Sequence, residues 1–179
     1  SGPSAGSRRQ TVRTAWNSTV PCTAPEIAPL LHDDALFFET PDNYLVCLDA
    51  TTGKELWHKM LAPLSQQYFS TNSPIVIGNH ILVGLGNDLD SPAFLTSYDP
   101  ETGDIQWRWY ATPQDSSDPA LATWANLTAA KFGGGHMWIP GSYDPETHLY
   151  IVGTGNPTPA YTSQSRGDGD NLYTCSLVA

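Results

Sequence analysis

Ten residues of this chain occur twice in the same pattern. Leu48-Asp49-Ala50-Thr51-Thr52-Gly53-Lys54-Glu55-Leu56-Trp57 returns 50 residues later as Tyr98-Asp99-Pro100-Glu101-Thr102-Gly103-Asp104-Ile105-Gln106-Trp107. A third copy opens at Tyr143-Asp144-Pro145-Glu146-Thr147, 45 residues beyond Tyr98, but His148 replaces the glycine and no tryptophan follows in register. The chemistry is that of a tight turn: Asp accepts backbone N–H bonds, and Gly supplies the positive φ that closes it. The tryptophan then falls at a fixed place on the following strand, where it can pack into a neighbouring unit. A lone four-stranded sheet cannot bury both of its faces, so such units must stack radially. The repeat therefore predicts an all-β chain built of β-propeller blades, each of four antiparallel strands.

The intervening sequence fits blades. Ala35–Thr40, Tyr44–Leu48 and Lys54–Lys59 read as strands of one unit, with a turn at Pro41-Asp42-Asn43. Pro74–Ile77, His80–Gly84, Phe94–Tyr98 and Asp104–Trp109 read as strands of the next. Ala111–Lys131 is too polar and too interrupted by proline for a blade, and insertions of this length in β-folds are often functional. Trp124 within it reads as a packing anchor rather than a lid. Residues 1–30 are rich in Ser, Thr, Ala and Pro and show no sustained period, which predicts a divergent, poorly ordered segment. Residues 31–179 then hold about three to four blade lengths. The last run, Leu172–Ala179, reads as a strand cut off midway, so the chain is expected to be part of a propeller.

Eighteen acidic against eight basic residues give a formal charge of −10, the wrong sign for a nucleic-acid groove. No apolar run approaches the ~20 residues that span a bilayer, and no apolar segment follows Arg8 and Arg9 as a signal peptide requires. Cys22, Cys47 and Cys175 lack metal-ligand spacing, and Cys47 and Cys175 lie in apolar, strand-like runs as small hydrophobes would. Asn17 and Asn126 open formal glycosylation sequons too short to carry weight.

The richest stretch is Phe132–Pro159. Gly133-Gly134-Gly135 lead into Met137-Trp138-Ile139, and an apolar strand, Leu149–Val152, ends in Gly153-Thr154-Gly155-Asn156-Pro157. Dense glycine lets a backbone approach something large and flat. Two readings are open: a ligand floor with an amide clamp beside it, or a tight β-corner whose tryptophan is core.

The repeat, together with GGGHMW, YDPETHLYIVGTGNP and GDNLYTCSLVA, resembles the pyrroloquinoline-quinone (PQQ)-dependent alcohol dehydrogenases, relatives of methanol dehydrogenase, over roughly Leu36–Ala179. The resemblance implies a segment of an eight-bladed quinoprotein propeller with PQQ at its centre beside a calcium or lanthanide ion. It implies that Trp138 forms the floor under the quinone and that Thr71 bonds its polar edge. Gly86 and Asn87 would border it, and His136 stands where relatives often carry a small hydroxyl residue. Asn156 would ligate the metal, and so would Asp88, where the family usually has glutamate; hard oxygens of this kind suit Ca²⁺. Further implications are a small primary alcohol as substrate, a cytochrome c as electron acceptor, and a periplasmic location. The family's cysteine pair has no counterpart in residues 1–30 and its catalytic aspartate would follow Ala179, so no catalytic residue is assigned and the chain alone is expected to be inactive. A non-catalytic propeller serving as an assembly scaffold is the alternative, and such a propeller has no reason to carry both GGG-x-x-W and T-G-N-P.

Overall fold

Each aspartate of the repeat does what its turn requires. In the computed structural model, which describes residues 30–179, Asp49 Oδ1 accepts the Thr51 and Thr52 amides at 3.0 and 2.6 Å. Asp99 Oδ1 accepts the Glu101 and Thr102 amides at 2.9 and 3.0 Å. Gly53 and Gly103 close these turns at φ +72° and +69°, each donating to its aspartate's carbonyl at 2.8 Å.

These turns join the last two strands of two equivalent sheets. The first sheet runs β1 (Leu30–His32), β2 (Ala35–Glu39), β3 (Tyr44–Asp49) and β4 (Glu55–Met60), in that order and antiparallel throughout. The second runs β5 (Ile75–Ile77), β6 (His80–Leu85), β7 (Phe94–Tyr98) and β8 (Ile105–Tyr110) in the same order. Even the irregularities repeat: a register shift at Cys47/Leu48 is matched by one at Ser97/Tyr98. Cys47 pairs with Trp57 and Ser97 with Trp107, so the two tryptophans hold equivalent places. A third, three-stranded sheet has β10 (Leu149–Gly153) between β9 (Ser142–Asp144) and β11 (Leu177–Val178).

Strand periodicity explains why the sheets stack. Successive side chains on a strand point to opposite faces. Ile81, Val83 and Leu85 of β6 join Phe37, Leu45 and Cys47 in a core between the first two sheets. Leu82, between them in sequence, joins Leu95, Ala111, Met137 and Val152 in a second core against the third sheet. The middle sheet is thus buried on both faces, as a blade must be.

Several expectations need correction. Trp57 is packed between blades, its Nε1 donating to the Pro100 carbonyl at 3.2 Å, whereas Trp107 remains 41% exposed. Leu172–Ala179 is not one strand, because turns occupy it up to Ser176 and only Leu177–Val178 pairs. Cys47 is buried, but Cys175 is exposed on a turn at φ +47°. The insertion carries a 3₁₀ turn, Pro119–Thr123, and a short helix, α1 (Leu127–Lys131), capped by the Asn126 side chain. Trp124 is buried there and donates to the Leu172 carbonyl at 2.7 Å, so it is a packing anchor and not a lid. Cys22, Asn17 and all but the last residue of the segment 1–30 expected to be poorly ordered lie outside the described residues, and that last residue, Leu30, opens β1.

Candidate functional site

In an antiparallel blade the first strand starts where the second ends. The approach to β5 therefore lies beside the exit of β6, an adjacency extended by the Phe69 amide donating to the Gly86 carbonyl at 3.0 Å. The same rule places the approach to β9 beside the exit of β10. Segments 69–74, 86–91, 133–141 and 153–157 thus meet at one end of the sheets.

A seam of backbone contacts centred on residues 133–137 holds them. Asn72 Nδ2 donates to the Met137 carbonyl at 3.1 Å. The Ala93 amide donates to the Gly134 carbonyl at 3.0 Å, and the Gly155 amide to the His136 carbonyl at 2.9 Å. The Gly135 amide donates to the Asn156 carbonyl at 2.9 Å. Glycine is required at the seam: a Cβ on Gly86 would sit 3.0 Å from His136 Cα, and one on Gly155 would sit 2.6 Å from the His136 carbonyl oxygen.

Side chains adjoining the seam divide sharply. Met137 is fully buried, whereas Trp138 is 57% exposed, so Trp138 is not core. Thr71, Asp88 and Asn156 are exposed as well. His136 is 4% exposed, and its Nε2 is buried without a partner. Burial holds this imidazole below the usual histidine range, while the charge of Asp88 pulls the other way; the ring is neutral at pH 7 and senses Asp88. Asn87 is wholly buried and its amide is spent on its own loop. Its Oδ1 accepts the Leu89, Asp90 and Ser91 amides at 3.1 Å each, and its Nδ2 donates to the Gln67 carbonyl at 3.2 Å. Asn87 therefore shapes the turn that carries Asp88, and its side chain has no free group to offer a ligand.

Residues 60–179 match the family described as PQQ: Glucose/ethanol/alcohol dehydrogenase, beta-propeller domain. The chain belongs to this PQQ β-propeller family. It is 35% identical over 169 residues to quinohemoprotein alcohol dehydrogenase ADH IIB of Pseudomonas putida, covering 88% of this chain and 24% of that protein. It is 32% identical over 162 residues to the lanthanide-dependent methanol dehydrogenase of Methylacidiphilum fumariolicum, covering 80% and 26% respectively. Among solved structures it resembles a europium-containing methanol dehydrogenase with a TM-score of 0.75 at 29% identity, over 84% of this chain and 29% of the other. The chain thus spans about a quarter of the length of the curated relatives it matches.

Within this PQQ-family propeller, the structure brings the loops bearing Thr71, Gly86, Asp88, His136, Trp138 and Asn156 to one end. Sequence reading missed two neighbours of the site. Cys175 Sγ lies 3.7 Å from Asn156 Oδ1, and Asn72 ties the Thr71 segment to the backbone beside Trp138. Neither has a local signature; a cysteine amid apolar residues looks like core until the turn exposes it. Among the described residues no three His, Cys, Asp or Glu side chains form a metal-holding group, and no helix is long and apolar enough to cross a membrane.

Proposed function

We propose that this chain forms part of the cofactor-binding end of a PQQ-dependent alcohol dehydrogenase. The observation that supports this most is the glycine-dependent seam that gathers four loops and leaves the Trp138 indole uncovered beside them. A broad π-face suits a flat tricyclic ring as its floor. The Thr71 hydroxyl would bond the ring's polar edge, with Gly86 allowing close approach. Asp88 and Asn156 supply one carboxylate and one amide oxygen, a donor pair that fits Ca²⁺ or a lanthanide, and the ion's remaining ligands would come from the cofactor and from protein beyond this chain. His136, neutral and with its unpartnered Nε2 enclosed in protein, would back the site rather than line its rim. PQQ, when bound, would serve as the hydride acceptor for a small primary alcohol, and a cytochrome c would reoxidise it in the periplasm. No residue here is assigned as the general base, so this chain supplies binding and orientation rather than proton abstraction.

Titrating the chain with PQQ and Ca²⁺ or La³⁺, followed by tryptophan fluorescence and an alcohol-dependent dye-reduction assay, tests this. Weak, saturable, ion-dependent quenching that disappears in Trp138→Ala and falls in Asp88→Asn is expected, without turnover. Quenching that is indifferent to both substitutions would overturn the reading in favour of a scaffold propeller. Turnover with micromolar binding would show the chain to be a minimal enzyme.

A further inference from the structure

β2 carries Phe37 and Glu39 on one face, two residues apart and both turned into the interface between the first two sheets. Phe37 belongs there, in the apolar core with Tyr68, Phe94 and Tyr98. Glu39 is a carboxyl at 1% exposure. One of its oxygens, Oε2, accepts a hydrogen bond from the Ser70 hydroxyl, and the other, Oε1, is buried with no partner. Among the described residues no cation pairs with it. The titratable group that faces it is the Tyr98 phenol of β7, which itself lies beside Thr96 of the same strand and Arg108 of β8. Arg108 is committed elsewhere: its Nε donates to Thr96 Oγ1 at 2.9 Å, and its guanidinium lies 4.0 Å over the Phe94 ring.

Ser70 immediately precedes Thr71. Two residues on, the Asn72 amide donates to the Met137 carbonyl at 3.1 Å, and the next residue is Trp138. A continuous tether therefore runs from Glu39 of the first sheet through Ser70, Thr71 and Asn72, ahead of the second sheet, to Met137 and Trp138, ahead of the third. We propose that Glu39 is a positioning residue of the candidate site, fixing the Ser70–Asn72 segment and through it the places of the Thr71 hydroxyl and the Trp138 ring. That these groups meet a cofactor rests on the function proposed above. The tether itself does not.

Burial pushes the Glu39 carboxyl up to about 8 from 4.5, against the opposing Ser70 bond. The clamp is therefore a neutral acid at pH 7, and any opening that wets it releases a proton. Hydrogen exchange of the full 179-residue chain between pH 6.5 and 9.5 reads this directly. In the unmodified chain, protection of amides 69–73 and 137–139, corrected for intrinsic rates, should fall about tenfold per pH unit up to about pH 8 and then level off. Glu39→Gln, which keeps an acceptor for Ser70 without the titrating proton, should retain protection and lose the pH slope. Glu39→Ala should lose protection in both segments while β7 and β8 keep theirs. Equal slopes in the unmodified chain and in Glu39→Gln, or unchanged segments in Glu39→Ala, would overturn the proposal; if Glu39→Ala fails to fold, the slope comparison decides alone. The exchange pattern without any quinone binding would defeat the functional reading and leave the positioning role standing. Quinone binding without the pattern would do the reverse.

Discussion

His148 stands where two sister turns have glycine, and the backbone has not changed to suit it. It takes φ +58°, against +72° at Gly53 and +69° at Gly103. The turn is still imposed by its aspartate: Asp144 Oδ1 accepts the Glu146 amide at 2.9 Å, and Thr147 Oγ1 donates to Asp144 Oδ2 at 2.7 Å. An L-residue held in the left-handed region costs about 1–2 kcal/mol, and glycine there costs roughly 0.5–1 kcal/mol in chain entropy. His148→Gly should therefore stabilise the chain by about 0.5–1 kcal/mol despite loss of the exposed contact with the Tyr143 hydroxyl, measured as a higher urea midpoint at constant slope.

At the scale of elements, equivalent sequence has produced unequal packing. Trp57 sits against Phe37, with ring centroids 5.8 Å apart, and bonds the Pro100 carbonyl of the next sheet's turn. A Cβ on Gly103 would meet Trp57 at 2.8 Å, so that turn lies directly on the indole. Trp107 occupies the same register but has much of its ring in solvent. Trp57→Ala should cost about 3–5 kcal/mol, as a large-to-small change in packed surroundings. Trp107→Ala should cost no more than about 1–2 kcal/mol, in proportion to the smaller area it buries. Comparing the two urea midpoints checks the asymmetry; equal losses would mean that Trp107 is packed as Trp57 is.

For the whole molecule, buried and exposed acids pull stability in opposite directions with pH. Asp49, Asp104, Asp115 and Asp144 are exposed and held below the usual carboxylate value of 3.8, chiefly by hydrogen bonds from turn residues or, for Asp104, from Lys59. Their support is present above about pH 4 and lost as they protonate. His136 stays neutral in the fold below its ordinary 6.5, so acid also favours the unfolded chain through it. Glu39 acts oppositely: the fold keeps its proton up to about pH 8, while the unfolded chain releases it near 4.5. Just below pH 6.5 the histidine opposes the glutamate. From about pH 6.5 to 8 only Glu39 remains, and stability should fall by about 2 kcal/mol before levelling. Urea titrations across this range should show that decline in the unmodified chain and not in Glu39→Gln.

The sequence by itself determined the repeat and its direct consequences: the Asp–Gly turns, the strands they join, the blade architecture and the PQQ family. These are legible because a turn and the two strands beside it are set by neighbours in the chain. The loop residues Thr71, Asp88, His136, Trp138 and Asn156 were named through motif rather than through physics, and the structure adds that their loops share one end of the sheets. Only the tertiary structure decided which groups are buried. Met137 and Trp138 share an irregular loop and Cys175 sits on a turn, where no period assigns a face, so only the packing told buried Met137 from exposed Trp138 and core Cys47 from exposed Cys175. Nor does a strand ending Phe-Phe-Glu show that Glu39 points into an interface rather than into water. Burial there depends on Ser70 and Tyr98, residues 31 and 59 positions away, which the strand meets only once the second sheet has docked.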